Sequence, residues 1–583
     1  MRTFAAAPSE PGKERVLVVG AGPVGLTAAH ELARRGLRVR VVDAAPGPAR
    51  TSRAVAVHPR TLETFDQMGI VDGVLAEGRR NAAFTMYAGG RRLVRLEADY
   101  ESMPTRFPYT VVIGQTRTEG LLREAVGRLG VTVEWGVRLT GLEQDRDGVR
   151  ASLEHPDGSV EEYEVPWLVG CDGGHSTVRK QLKLPLIGES SETWELADAS
   201  VEMDLAPDTI YWVHTGGQAL MMVPYREDGR WRLLDTAPVR RPGDPAGSGA
   251  EVSRRFSEKL SAGLGRPVHV GEPEWTSVFT FQQRMVPRMD EGRCFVAGDA
   301  AHVHSPASGQ GMNTGVQEAY NLAWKLAMVD RGQAGAELLA TYGQERVPVG
   351  KALLGSTRKA TFLVQFKLHR FKDALAGLAL PVVFTVVRNV RPLRRAIQRK
   401  VLGGMSGLRL AYPESPLTTP GEGTGLPAGS RAAAAAALHP DDPGSTELRA
   451  ELRDTRWSLV WAQAGPGEAS IVAASAAASY GRWLSVRTVG DGEGGPGPLA
   501  DPSGQLRRSL GLEPCGWLLI RPDGYVAAGG SGLTRLGLER ALAPLGLLAE
   551  VRHIRGARGS VPALPRISDA SAQLTGESEP RRA

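Results

Sequence analysis

Short apolar runs, each followed by glycines or by an amphipathic stretch, open the chain. Val16 to Val19 predicts a buried strand, and the Ala/Leu-rich stretch up to Arg35 predicts a helix that Gly36 ends. A second apolar run, Val39 to Val42, predicts another buried strand. Strand, helix and strand within about 30 residues predict a right-handed βαβ unit.

Farther along, apolar and polar positions alternate with period two, which is typical of half-buried antiparallel strands. After residue 446, new apolar runs indicate a second and smaller α/β unit. The chain is therefore predicted to be α/β, with an antiparallel sheet inserted into a Rossmann-type domain. The strand segments behind this prediction are Val131 to Leu139, Val149 to Leu153, Leu220 to Val223, Thr276 to Met285, Trp457 to Ala462, Leu484 to Val489 and the hairpin Trp517 to Ala528.

Composition shifts divide the chain into a discontinuous dinucleotide-binding domain, an inserted substrate-binding sheet, a helical and basic region, a linker rich in Pro, Gly, Ser and Ala, an α/β unit and a flexible tail. The helical region is interpreted as helices packed on the main body with a solvated basic face, or as a lid or membrane-surface helix. In chain order, the predicted boundaries are 14–185 with 286–355, 186–285 with contributions from 80–112, 356–412, 413–446, 447–565 and 566–583.

Composition narrows the classes of function. The chain has 583 residues, 42% of them hydrophobic and 23% charged, so it can bury a large core. The net charge of +6 is small and most basic residues are scattered, which argues against nucleic acid as a partner. Three cysteines far apart argue against a disulfide framework and a multi-cysteine metal site. Without an apolar signal segment or a membrane-length apolar run, we expect a cytoplasmic protein with no integral membrane association.

Gly20, Gly22 and Gly25 have the spacing of a dinucleotide-binding turn between the first strand and the first helix. The first glycine allows the tight turn, the second lets a pyrophosphate approach the backbone, and the third lets helix and strand pack closely. The helix start offers N–H groups and a positive dipole end to phosphates. Asp43, at the end of the second strand, is placed to accept hydrogen bonds from ribose hydroxyls. FAD and NAD both fit this turn.

Two later segments distinguish the two nucleotides, because each places an acidic residue directly after an apolar strand. An acidic residue at a strand end can bind a polyol, and a glycine-rich run that opens a helix presents N–H donors to the electron-rich edge of a ring. An extended FAD needs both features, whereas a nicotinamide dinucleotide does not. In the first segment, Asp172 follows the strand Trp167 to Val169. In the second, Gly298-Asp299 follows the strand Cys294 to Ala297. The second segment then continues into a helix through Pro306, Gly309, Gly311, Met312 and Asn313.

As a set, the three motifs resemble those of the class A flavoprotein aromatic hydroxylases, the para-hydroxybenzoate hydroxylase fold, over roughly residues 14 to 410. The long bacterial members that act on phenols and aromatic polyketides are the most similar. The resemblance implies that FAD is bound at its ADP half by Gly20, Gly22, Gly25 and Asp43, elsewhere by Arg53, Gln115 and Asp172, on the ribityl side by Gly298 and Asp299, and at the ring by Pro306, Gly309, Gly311, Met312 and Asn313.

The same resemblance implies the reaction. NADPH or NADH would reduce FAD from a transient site in a surface cleft, and the reduced flavin would react with O2 to give a flavin hydroperoxide. A phenolic or polycyclic aromatic, polyketide-like substrate would then take up the distal oxygen. Two alternatives stay open: Baeyer–Villiger insertion or epoxidation on a related substrate, and a flavin-binding scaffold without turnover. We expect a monomer or a homodimer.

The inserted sheet is expected to cover the flavin and to hold the substrate. The sequence shows no convincing nucleophilic triad, and Val55 stands where some phenol hydroxylases carry an aspartate. The candidates for a catalytic group are therefore Arg53, His214, Tyr225 and Arg284. An apolar pocket suits a flat substrate. Its candidate residues, for which ordinary packing in the sheet core is the alternative, are Trp212, Met221, Met222, Phe279 and Phe281.

The unit 447–565 resembles the thioredoxin-like appendage of the longer hydroxylases. A redox-active version needs two neighbouring cysteines for thiol exchange. After the strand that ends at Ala462 the sequence has Gly465-Pro466-Gly467-Glu468, and Cys515 stands alone. We therefore expect a thioredoxin-like domain without dithiol activity, in a structural or interface role.

Overall fold

The computed structural model describes residues 13–51, 54–97, 103–216, 218–236, 248–304, 309–365, 403–421, 425–463, 467–490 and 497–546, together with residues 390, 392, 396 and 423. Within them, the strands are β1 Val16–Val19, β2 Val39–Asp43, β3 Ala56–Val57, β4 Arg79–Asn81, β5 Ala83–Ala88, β6 Arg91–Glu97, β7 Thr110–Val112, β8 Val133–Trp135, β9 Arg138–Gln144, β10 Val149–Glu154, β11 Val160–Val165, β12 Trp167–Gly170, β13 Ile187–Glu202, β14 Thr209–Thr215, β15 Gln218–Pro224, β16 Arg230–Asp235, β17 His269–Val270, β18 Trp275–Met285, β19 Asp290–Glu291, β20 Cys294–Val296, β21 His302–Val303, β22 Trp457–Ala462, β23 Leu484–Gly490, β24 Pro498–Ala500, β25 Trp517–Ile520 and β26 Val526–Gly530.

The helices of the described residues are α1 Pro23–Arg34, α2 Pro59–Met68, α3 Val71–Glu77, α4 Gln115–Arg128, α5 Thr177–Gln181, α6 Gly249–Leu264, α7 Gly311–Asp330, α8 Glu337–Gln365, α9 Ala433–Leu438, α10 Pro443–Glu451, α11 Glu468–Tyr480, α12 Gln505–Leu510 and α13 Arg535–Leu542, with 3-10 turns at Gly298–Ala300 and Ala543–Leu545. None of these helices is both long enough and apolar enough to span a membrane. The predicted tail 566–583 and most of the predicted helical region 356–412 lie outside the described residues.

A six-stranded sheet in the order β19-β20-β12-β1-β2-β8 forms the centre of the dinucleotide-binding part. All neighbouring strands except β19 and β20 run parallel. Residues of β1, β12 and β20 are buried throughout, because parallel strands are covered on both faces, and this explains their continuous apolar sequences. The carboxyl ends of these three strands meet at one edge of the sheet, so the three motifs that follow them come together there.

The prediction of one strand from Val131 to Leu139 is wrong. Gly136 adopts a φ of +76°, and the chain turns there. As a result β8 joins the six-stranded sheet, whereas β9 joins a three-stranded antiparallel sheet in the order β11-β10-β9. Glycine adopts this left-handed conformation without a steric penalty, but the alternation of apolar residues continues across it and hides the break.

A larger sheet has the order β21-β18-β13-β16-β15-β14-β5-β6, with β17 paired to β13. Its strands β5 and β6 come from residues 83–97, so an early segment of the chain completes it. One face packs on α6 and includes Tyr211 and Met222. The other face carries Trp212 and Met221 in an apolar cluster with Val112 of the dinucleotide-binding part. Met222 therefore points away from Trp212 and Met221, since successive side chains of a strand point to opposite faces.

The C-terminal unit contains a five-stranded sheet in the order β24-β23-β22-β25-β26. β22, β23 and β24 run parallel, whereas β25 and β26 run antiparallel to their neighbours. One face of this sheet, with Leu459 and Leu519, shares the apolar core of the dinucleotide-binding part, whereas Val460 and Leu518 on the other face belong to a separate apolar cluster inside the unit. At the boundary, the ring of Trp457 packs edge-on against that of Trp324 in α7, with 5.5 Å between the ring centroids.

Candidate active site

The first glycine turn leaves open space where a pyrophosphate would lie. Gly20 has a φ of +104°, and a side chain there would clash with the carbonyl group of Cys171. A side chain at Gly25 would clash with the carbonyl oxygen of Gly20. By contrast, no atom lies within 4 Å of the position that a Cβ would take at Gly22, directly before α1. The turn therefore combines close packing with one open position in front of a helix N-terminus.

Asp43 borders this turn, and the charge of its carboxylate acts on Glu119 of α4, the partner of Gln115. The Asp43 carboxylate accepts from the N–H of Ala21 (2.7 Å) and fixes the glycine turn against β2. Gln115, at the start of α4, accepts from the N–H of Ala54 (3.0 Å) and donates to Glu119 (2.9 Å). Burial raises the pKa of Glu119, and the charge of Asp43 adds to the shift. Glu119 was not predicted from the sequence, although it lies one helical turn after Gln115.

The Asp172 carboxylate accepts hydrogen bonds from its own loop and from the start of α5. Its carboxylate accepts from the hydroxyl of Ser176 (2.5 Å) and from the N–H groups of Thr177 (2.7 Å) and Val178 (3.1 Å), and so it caps α5. Arg179, to which the sequence analysis gave no separate role, donates to the carbonyl oxygens of Gly174 (3.0 Å) and Ala300 (3.2 Å). These two bonds tie the Asp172 loop to the Asp299 loop.

The Asp299 loop is fixed from behind by a buried ion pair. The N–H of Gly298 donates to one Glu318 oxygen (2.9 Å), and the other Glu318 oxygen lies 2.8 Å from Nε2 of His302. Burial opposes a charge on His302, but the Glu318 carboxylate outweighs it and raises the pKa of His302. Asp299 itself is exposed. Its carboxylate is thus available at the carboxyl edge of the sheet, as a polyol ligand requires.

Asn313 closes the loop in front of α7. Its side chain is buried, accepts from the N–H of His58 (2.8 Å) and donates to the carbonyl oxygens of Ala56 (2.8 Å) and Gly309 (2.7 Å). Both N–H groups of the Asn313 side-chain amide therefore donate to carbonyl oxygens of the protein. The N–H groups of Gly311–Asn313 precede the first intrahelical bond of α7, so backbone donors rather than the Asn313 side chain face a ligand here.

His214 lies on the face of the large sheet that turns toward the dinucleotide-binding part. It follows Trp212 by two residues in β14, so both side chains point to that face, where Trp212 pairs with Met221 of β15. The His214 side chain is more than nine-tenths buried, and its Nε2 has no hydrogen-bond partner among the described residues. Burial lowers the pKa of His214, so the imidazole is neutral at neutral pH.

The other candidates occupy different surroundings. The Tyr225 hydroxyl donates to the carboxylate of Asp198 (3.1 Å), which also accepts from Arg232 (2.8 Å) and the Trp275 indole (2.7 Å). Burial and that carboxylate raise the pKa of Tyr225. Arg284 lies in β18 where this strand pairs with β21, beside the Asp299 loop. Arg53, Pro306 and the side chains of Phe279 and Phe281 lie outside the described residues.

The open position at Gly22, the exposed carboxylate of Asp299 and the free helix starts of α1 and α7 fit the phosphates, ribityl chain and ring of an extended FAD. The site needs no protein nucleophile for a reaction whose chemistry the cofactor supplies. In the ranges that the structure describes, no three His, Cys, Asp or Glu side chains converge as a metal site would require.

Comparison with known proteins agrees with this fit. A family model described as an FAD binding domain matches residues 13–357. The chain is 49% identical to 6-methylpretetramide 4-monooxygenase of Streptomyces rimosus, over 93% of this chain and 95% of that protein. It is 30% identical to pentachlorophenol 4-monooxygenase of Sphingobium chlorophenolicum, over 92% and 96%. The solved structure of an anhydrotetracycline hydroxylase from Streptomyces rimosus matches with a TM-score of 0.70 at 30% identity, over 91% of this chain and 98% of that one.

Proposed function

The chain belongs to the FAD-dependent aromatic monooxygenases of the class A hydroxylase type, and from this we propose that its substrate is a polycyclic phenol of the tetracycline type. The predicted family, the FAD cofactor with NAD(P)H as electron donor, and aromatic hydroxylation are confirmed by the family match. A relative of nearly the same extent is named for 6-methylpretetramide, and this name supports the proposed substrate class. We place the reaction in the cytoplasm.

The proposal rests mainly on the apolar face of the large sheet. Trp212, Met221 and Leu234 form a continuous apolar surface there, with Phe84 and Met86 packed beside them. Such a surface suits a flat fused ring system, because ligand sites are mostly apolar with a few polar groups that orient the ligand. The buried and unpaired Nε2 of His214 supplies one such polar group on the same face.

We propose that His214 accepts the proton that the substrate hydroxyl loses. Bound FAD would supply the activated oxygen: one atom of O2 is inserted into an aromatic C–H bond, and the other leaves as water formed with the hydride of NAD(P)H and one further proton. Electron density in the ring rises as the phenol loses its proton, and a neutral imidazole can accept that proton. The low pKa of His214 keeps it in the accepting form.

We place FAD along the carboxyl edge of the six-stranded sheet. Gly22 would hold the pyrophosphate, Asp43 the adenosine ribose, Asp299 the ribityl chain, and the N–H groups of Gly311–Asn313 the pyrimidine edge of the ring. The open space and the backbone donors described above support this placement. Residues proposed to contribute besides these are Gly20, Gly25, Arg53, Gln115, Asp172, Gly298, Pro306 and Gly309.

We retain the domain boundaries drawn from the sequence as a proposal, with 447–565 as a thioredoxin-like unit. Its strand order, with three parallel strands followed by two antiparallel ones, supports that assignment. Gly467 and Glu468 stand where a dithiol version would begin its first helix, so a redox role is not proposed.

The substrate class is tested by anaerobic mixing of the purified holoenzyme with NADPH or NADH, with and without a tetracycline-type polycyclic phenol. We expect the phenol to accelerate bleaching of the flavin absorbance and to yield a hydroxylated product once O2 is admitted. A flavin whose reduction no polycyclic phenol accelerates, and which gives no hydroxylated product, would contradict the proposed substrate class.

The role of His214 is tested by His214→Asn. Loss of a positioned proton acceptor lowers rates by about 10²- to 10⁴-fold, so we expect product formation to fall by at least about 100-fold while FAD content stays unchanged. NAD(P)H oxidation should continue and become uncoupled from product. His269→Asn is the matched control, because His269 is an exposed histidine of the same domain. Equal product yields for the two variants would argue against the assignment.

A further inference from the structure

The turn between β25 and β26, residues 521–525, is buried against the dinucleotide-binding part. Arg521 is fully buried, and its guanidinium donates to both carboxylate oxygens of Glu345 in α8 (2.6 and 3.0 Å) and to both of Asp523 (2.9 and 2.6 Å). Lys325 of α7 also donates to Glu345 (2.7 Å). Two buried cations and two buried carboxylates thus neutralise one another across the boundary between the two parts.

Asp523 extends this contact to two more helices. Its carboxylate accepts from the side-chain amide of Asn321 in α7 (3.0 Å), and its carbonyl oxygen accepts from Arg60 in α2 (3.0 Å). The Arg60 guanidinium also lies over the ring of Tyr525, 5.0 Å from its centroid. One turn of the C-terminal unit therefore holds α2, α7 and α8 through buried polar contacts.

Two of these helices start at the proposed flavin-ring site. α2 follows His58, whose N–H donates to Asn313 (2.8 Å), and α7 starts with Gly311–Asn313. Asn321 lies two turns farther along α7, about 12 Å from this loop at 1.5 Å per residue. The 521–525 turn thus contacts the same two helices a short distance along the chain from the N–H groups of Gly311–Asn313, which would bind FAD.

The third helix leads to the Asp299 loop. Next to Glu345, α8 carries Arg346, which donates to the carbonyl oxygen of Thr314 (3.3 Å) and lies 3.8 Å from Glu318. Glu318 accepts from the N–H of Gly298, directly before Asp299. Buried polar contacts of two consecutive residues of α8, Glu345 and Arg346, therefore link the C-terminal unit to the proposed ribityl site.

We propose that the 521–525 turn is a positioning element of the flavin site, with Arg521 and Asp523 as its positioning residues. Buried charges are stable only where every one is paired, so this cluster fixes the relative placement of the three helices. A cofactor binds most tightly where its donors are held in place beforehand. The C-terminal unit would then serve FAD binding without any cysteine. The proposal depends on FAD binding and not on the substrate.

The test uses the whole 583-residue chain with Arg521→Met, which removes the charge at similar volume. Titration of the apoprotein with FAD gives the affinity, and the visible spectrum reports the surroundings of the bound ring. We expect the affinity to fall about tenfold and the flavin spectrum to shift. Arg487→Met is the matched control: it removes the ion pair with Glu451 (2.6 Å) inside the C-terminal unit, and we expect no change in affinity or spectrum.

Asp523→Asn is the second variant, because it keeps the size of the side chain and the pair between Arg521 and Glu345. It decides the question if Arg521→Met yields no folded protein. Wild-type affinity and spectrum in the folded variants, even with a lower melting temperature, would overturn the proposal. Equal weakening by Arg487→Met would also overturn it, since the effect would then follow from general destabilisation.

Discussion

Gly22 and Gly25 belong to one fingerprint, but the structure gives them different reasons to be glycine. At Gly25 a side chain would meet the carbonyl oxygen of Gly20, so the protein itself excludes it. At Gly22 no atom lies within 4 Å of a Cβ position, and the φ of −72° suits any residue. A ligand in front of α1 explains the second case.

We therefore expect Gly22→Ala to leave the stability of the apoprotein within about 0.5 kcal/mol. The added methyl group would fill space that the pyrophosphate needs and weaken FAD binding by about 1–3 kcal/mol. Calorimetric titration with FAD and thermal unfolding of the apoprotein measure the two effects. Gly127→Ala in α4 is the control, also with nothing within 4 Å, and should stabilise the protein by up to about 1 kcal/mol without affecting FAD. Unchanged FAD affinity in Gly22→Ala would refute the placement.

At the scale of elements, the His302–Glu318 pair joins β21 to α7 and depends on pH. The pKa of His302 is raised above the ordinary value of 6.5 in the folded protein. The charged form is thus favoured by folding, so its stabilisation is complete below pH 6.5 and is lost as the pH rises through the raised pKa. His214 affects stability in the opposite direction. Its pKa is lowered in the folded protein, so its contribution to the free energy of unfolding is lost as the pH falls below 6.5.

The variant His302→Gln should reveal this dependence. We expect the difference in melting temperature between the wild type and the variant to be largest below pH 6.5 and to shrink at alkaline pH, because only the charged imidazole pairs with Glu318. Thermal unfolding over a pH series measures it. The exposed His269, changed to Gln, should give a small and constant difference. A difference in melting temperature between the wild type and His302→Gln that grows with rising pH would contradict the assigned ion pair.

Elements with a strong local pattern were predictable, and contacts between distant elements were not. β1 and β22 have the predicted bounds, since strands buried on both faces form continuous apolar runs. The motif residues could be assigned because strand, glycine turn and helix lie together in sequence. Arg179 has no local signal for its bond to the Ala300 carbonyl, which lies 121 residues away. For the same reason, His214 and Tyr225 were equally good candidates for a catalytic group on sequence alone, and only their surroundings in the structure distinguish them.

At the scale of the whole molecule, one apolar core joins the six-stranded sheet, α7 and the C-terminal unit. Trp457 of β22 donates its indole N–H to the sulfur of Met328 in α7 (3.2 Å), and Arg431 pairs with Glu63 of α2 (2.7 Å). The α6 face of the large sheet has a separate apolar cluster. The C-terminal unit therefore packs against the cofactor-binding part through both apolar and polar contacts.

This continuity predicts that FAD release and unfolding of the C-terminal unit occur in one cooperative transition. Removing either part would expose the apolar surface of the other, which costs roughly 25 cal/mol for each Å². Calorimetry, combined with flavin fluorescence for release and amide hydrogen exchange in β22 and β25 for unfolding of the C-terminal unit, measures whether the midpoints coincide. Added FAD should raise this shared midpoint, because a ligand of the folded state stabilises everything that unfolds with its site. A C-terminal unit that melts first while FAD stays bound would show that the shared core does not couple the two parts.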